Sequence, residues 1–139
     1  MNIPPQILRI TNSLIIISFL FFLQFSDKNI GENILAGSLV ITIIVSQLFW
    51  ANPVRYSAIH RIDSVVAKIS VSVFIVYTAF CKKIDPILLY LFLILVVWMM
   101  YFFLLSNFYS NKQWCCNKHI LYHGMSHILC FVCSLIAFL

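Results

Sequence analysis

Three of the four histidines in this chain recur at intervals of four, as His119, His123 and His127. Residues four apart share one side of a helix, so His123 and His127 can turn toward one ligand, with His119 rotated further round where the helix begins. The fourth, His60, lies in Ser57-Ala58-Ile59-His60-Arg61-Ile62-Asp63, the other place where ionisable groups crowd the start of an apolar run. Neutral imidazoles bind zinc. Three protein ligands with one open position are the usual catalytic arrangement, and the metal makes a bound water nucleophilic near neutral pH. The candidate ligands are therefore His60, His123 and His127, and the expected cofactor is zinc. Asp63 can orient a metal-bound water, act as a general base or hold a histidine tautomer. The hydroxyl of Ser57, or that of Ser64, can donate to a developing oxyanion. Plainer readings stand beside these. Arg61 and Asp63 can simply anchor a helix end, and His119 is expected at a loop or interface.

The elements that must position these groups are membrane helices. The chain is 63% hydrophobic and only 9% charged, with a mean hydropathy of +1.01. A soluble domain of 139 residues lacks the interior volume to hide so many Phe, Leu and Ile side chains from water. An all-α integral membrane protein is expected, a single bundle of about five transmembrane helices over roughly 8–25, 34–50, 60–81, 87–105 and 120–139. The first is read as a retained helix with a signal-anchor role open to it, because no small-residue cleavage pattern follows it. The second ends at Ala51-Asn52-Pro53, and its Ser38, Thr42 and Ser46 form a small-residue stripe suited to helix packing. The third carries Asp63, Ser64, Lys68, Ser70 and Ser72 in its first half. Charge is costly inside a span, so this half should face inward or lie near the headgroups. Asp85-Pro86 opens the fourth as cap and first turn, and no ionisable side chain follows until the loop beginning at Asn107.

With five spans, the N-terminus and the loops near 51–59 and 107–118 share one side of the membrane. That side holds Arg9, Arg55, Arg61, Lys112 and Lys118 against Lys28, Lys82 and Lys83 opposite, which favours a cytoplasmic N-terminus. Whatever the orientation, His60 and Asp63 begin the third helix as His123 and His127 begin the fifth, so both clusters lie at one face. The net charge of +5 is scattered and forms no nucleic-acid footprint; anionic lipid headgroups are its natural partners. The five cysteines do not pattern as a secreted disulfide scaffold. Vicinal Cys115 and Cys116 are awkward zinc ligands, and an inert surface pair or lipidation beside the membrane suits them better.

Ser57-x-x-His60 followed by Asp63, combined with His123-x-x-x-His127 in the last helix, resembles the transmembrane metal-dependent hydrolases that include alkaline ceramidases and the progestin and adiponectin receptors. The resemblance implies zinc on His60, His123 and His127, with Asp63 and Ser57 assisting hydrolysis of a lipid amide or ester. It covers about 57–67 and 119–130. Members usually have seven spans, and the serine stands three residues before the histidine here where the family places it four before. Two other classes fit the composition: a small oligomeric channel, carrier or holin-like membrane protein, and a structural subunit that packs against a membrane partner. Polar groups clustered at one end argue against a pore-lining path.

Overall fold

The computed structural model describes residues 3–139. Five helices, each long and apolar enough to cross a membrane, form an all-α bundle: α1 (Ile7–Phe25), α2 (Ile30–Ala51), α3 (Ala58–Val76), α4 (Pro86–Lys112) and α5 (Asn117–Phe138). A π turn over Tyr77–Cys81 extends α3, closed by the Lys82 N–H on the Tyr77 carbonyl at 2.9 Å. The fourth helix runs to Lys112, past the end of its apolar stretch, because Ser106 and Ser110 continue its buried face. As expected, Asp85 caps this helix, accepting from the N–H groups of Ile87 (2.8 Å) and Leu88 (3.4 Å) ahead of Pro86.

Burial departs from a water-soluble protein's at the surface and at the helix contacts. Ile10, Phe80 and Ile87 project outward, while Asn12, Ser18, Ser126 and Ser134 are buried. A bilayer offers apolar side chains no reason to hide, so small and hydroxylated residues mark the contacts between helices. At the α1–α5 contact, Ser134 donates to Ser18 at 2.6 Å, and a side-chain carbon at Gly124 would meet Leu8 and Thr11 at ordinary contact distance. At the α2–α3 contact the hydroxyls of Thr42 and Ser70 lie 2.7 Å apart, and Ser70 also reaches the Ser38 carbonyl at 3.3 Å. The Ser38/Thr42/Ser46 stripe is thus the seam on which α3 rests.

These contacts arrange the helices as an open arc in the order α3, α2, α1, α5, α4. The two end members, α3 and α4, share no extensive contact: Ile75 of α3 packs against the cluster of Phe92, Cys133 and Ile136, and α3 touches α5 only lightly. Phe22, Phe74, Phe138 and Leu35 fill one end of the arc, and Phe49, Trp50 and Ile120 form a second cluster at the other.

One device starts three of the helices. Lys28, Tyr56 and Cys115 are the non-glycine residues with positive φ, at 53°, 63° and 55°, and each stands one residue before a helix cap. Each gives its N–H to the side chain four positions on: Lys28 to Glu32 (3.1 Å), Tyr56 to His60 (3.1 Å) and Cys115 to His119 (3.2 Å). The left-handed turn aims that N–H back at the first helical turn, where a side-chain acceptor satisfies a group the helix ladder cannot.

Candidate functional site

The local role of His60 follows from this device. Ser57 caps α3 by accepting the His60 N–H at 3.2 Å, while His60 Nδ1 accepts from Tyr56. Ser57-x-x-His60 is therefore a variant of the capping box, in which the ring takes the N–H of the residue before the cap. An imidazole whose Nδ1 accepts carries its proton on Nε2 when neutral, which leaves that ring without a free lone pair for a metal. Its ring stacks on Phe49 at 5.0 Å and meets Trp114 edge-on at 5.2 Å. His119, expected at an interface, is only 3% exposed, covered by Trp114 and Trp50, and holds the α5 entry as His60 holds that of α3.

The other two histidines sit deeper on α5, their rings 4.8 Å apart. His123 Nδ1 lies 3.2 Å from the Ser106 hydroxyl on α4 and its ring meets Trp50 edge-on at 5.0 Å. His127 Nδ1 lies 2.9 Å from the Thr11 hydroxyl on α1. The same Thr11 hydroxyl reaches the Leu8 carbonyl at 3.2 Å. Asp63 is 9% exposed and hydrogen-bonded to Ser46 of α2.

The expected zinc centre is corrected by this geometry. Among the described residues no group of three or more His, Cys, Asp or Glu side chains is placed to hold a metal ion. The ring neighbours of His60 are Phe49, Tyr56 and Trp114, whereas those of His123 are Trp50, His119 and His127. A zinc-dependent hydrolase reading goes with the metal, since Asp63 and Ser57 then have no metal-bound water to orient or assist. The Cys115/Cys116 set forms no metal group either. Burial pushes the Cys115 thiol up to about 11, with Cys116 adding to the shift.

What the histidines and Asp63 do share is a cavity. A space of about 310 Å³ lies inside the arc, walled by residues of all five helices and separating α3 from α4. Its wall is mainly apolar, with Val71 and Ile75 on one side and Phe92, Val96 and Phe103 on the other. Into it converge Asp63, Lys68, His123 and His127. Two buried polar atoms on this wall have no protein partner, Asn12 Oδ1 and the Trp50 indole N–H. Aromatic rings of Phe49, Trp50 and Trp114 close the cavity at the face where α3 and α5 begin, with Trp114 stacked on Trp50 and tied to the Pro53 carbonyl at 3.2 Å.

The opposite end is sealed by a pair that no sequence pattern pointed to. Lys82 bonds Glu32 at 2.8 Å and the Ala137 carbonyl at 2.9 Å, joining α2, the end of α3 and the end of α5. Glu32 is 1% exposed and also accepts from Ser26 and the Lys28 N–H. The Glu32 N–H in turn donates to Asn29 Oδ1 at 2.9 Å, which fixes its backbone at the start of α2.

No family model, curated protein or solved structure matches the chain. The class rests on the fold: a multi-pass helical membrane protein.

Proposed function

We propose that this chain is a membrane-embedded carrier that takes a small lipid-soluble molecule with a polar head into the cavity of the arc. The observation that carries this reading is the cavity itself, mainly apolar, bordered by all five helices and flanked by two helices that share no extensive contact. Its volume falls at the lower end of the range of about 300–1,000 Å³ typical of small-molecule sites, where apolar walls bind and a few polar groups orient. The aromatic end and the Lys82–Glu32 seal leave the gap between α3 and α4 as the entry, and that gap faces lipid. A continuous ion path through one copy has no support, because Phe22, Phe74 and Phe138 fill the bundle beyond the cavity. The basic residues at the N-terminus and at the loops before α3 and α5 favour placing that face in the cytoplasm.

The test uses protein in lipid nanodiscs titrated with oleate and with oleyl alcohol, read as a shift in melting temperature. Ala67 lines the cavity, and Ala67→Trp fills it. Wild type is expected to gain stability with at least one amphiphile, and Ala67→Trp to fold without that gain. No shift with either compound, or an equal shift in Ala67→Trp, overturns the carrier reading.

A further inference from the structure

Lys68 is the eleventh of twenty-four residues in the span Ala58–Cys81, roughly 15 Å from its start and roughly 20 Å from its end at the helical rise per residue. It is exposed and lines the cavity on the α3 side. Among the described residues its ammonium has no hydrogen bond, and the one ion pair is Lys82 with Glu32. The chain has four acidic residues. Glu32 is held by Lys82, and Asp27 and Asp85 lie at the turns on the opposite face. Asp63 is hydrogen-bonded to Ser46 and stands roughly 140° round the helix from Lys68, as a five-residue separation requires. The other ionisable groups on the cavity wall are His60, His119, His123 and His127, which carry no negative charge, and Cys130 and Cys133, which are neutral as thiols. A cation at mid-membrane needs a counter-charge, and this chain provides none for it.

A second observation points the same way. Trp50 lines the same cavity, and its indole N–H is enclosed without an acceptor. A buried donor without a partner is costly, and a small turn of the ring toward the cavity offers it to an oxygen-bearing ligand.

We propose that the cavity selects an anionic amphiphile, a carboxylate or phosphate head group on an acyl chain, with Lys68 as its counter-ion. Trp50 offers a further donor toward the aromatic end, and the acyl chain leaves between α3 and α4. This rests on the carrier reading and names the ligand class for it. Charge-assisted contacts to carboxylate and phosphate are stronger than neutral ones, and more so in a medium of low dielectric constant.

Binding of oleate, oleoyl lysophosphatidate and oleyl alcohol is compared in nanodiscs of neutral lipid, for wild type, Lys68→Met, Lys68→Arg and Lys83→Met. Wild type and Lys83→Met are expected to prefer at least one anion over the alcohol by about tenfold or more. The stronger of the two anions identifies the head group as carboxylate or phosphate. Lys68→Arg keeps the preference, and Lys68→Met loses it while binding the alcohol as before. Equal binding of anions and alcohol by wild type, or a preference that survives in Lys68→Met, overturns the proposal and leaves the carrier reading standing. Binding of none of the three overturns both.

Discussion

Lys68 and Lys82 stand on the same helix and its terminal turn, fourteen residues apart, in opposite circumstances. Lys82 is enclosed by Glu32, Ala137 and the ends of three helices, its charge cancelled within the chain. Lys68 lies at mid-span beside an apolar cavity with no counter-charge. The first closes the bundle. The second leaves an electrostatic need that only something outside the chain can meet. Stability and function are therefore divided along α3: its end holds the arc together, and its middle borders the site.

The sharpest way to break this contrast is to remove each lysine in turn. Lys82→Met leaves the buried Glu32 without its counter-charge and is expected to cost about 3–5 kcal/mol, whereas Lys82→Met with Glu32→Leu recovers most of that loss; unfolding by denaturing detergent measures both. Lys68→Met should act with the opposite sign, raising stability by about 2–3 kcal/mol in ligand-free bilayers, the cost of a lysine at the helix centre. Equal destabilisation by both substitutions would erase the distinction.

A smaller effect tests the sealed end from its other side. A side-chain carbon at Gly31 would land on the ring of Tyr77, whose hydroxyl bonds Asn29 at 3.1 Å. Gly31→Ala is therefore expected to lower stability by about 1–3 kcal/mol through overpacking, with no change in ligand preference. Ser57→Ala removes one half of the α3 capping box and should cost about 1 kcal/mol. A loss of that size in melting temperature with intact binding is the expected result. The smallest perturbation is chemical. In a variant keeping Cys115 as its single cysteine, burial still holds the thiol above its ordinary range, and alkylation should rise about tenfold per pH unit through mildly alkaline pH. Rapid labelling at pH 7 would contradict its burial.

The spans were legible because each apolar run is long enough for a bilayer and ends in turn residues such as Asn52-Pro53 or Asp85-Pro86. The α2 stripe was legible for the same reason, since hydroxyls at four-residue spacing fall on one side of a helix. The shared face of His60, Asp63, His123 and His127 also followed from counting spans, and all four line the cavity. Their chemistry did not follow. A serine three residues before a histidine at a helix start suits a capping box as well as a catalytic pair, and only the direction of the hydrogen bonds separates the two. The Glu32 acceptor at the α2 start gave the same signal, Asn29-x-x-Glu32, in its familiar form. The Lys82–Glu32 seal joins positions fifty residues apart, and no local pattern encodes which helix ends meet. The importance of Lys68 was half visible: a charged residue inside a span announces a cost, but whether a partner meets it depends on packing.

The central claim is that the gap between α3 and α4 admits acyl chains. Photo-crosslinking with a lipid carrying a diazirine on its acyl chain, mapped by mass spectrometry, tests it most directly. Label is expected on cavity-lining Ala67 and Phe103 as well as on the outward-facing Val97 and Trp98. Label confined to Val97, Trp98 and other outward positions would show the gap closed to lipid and contradict the account.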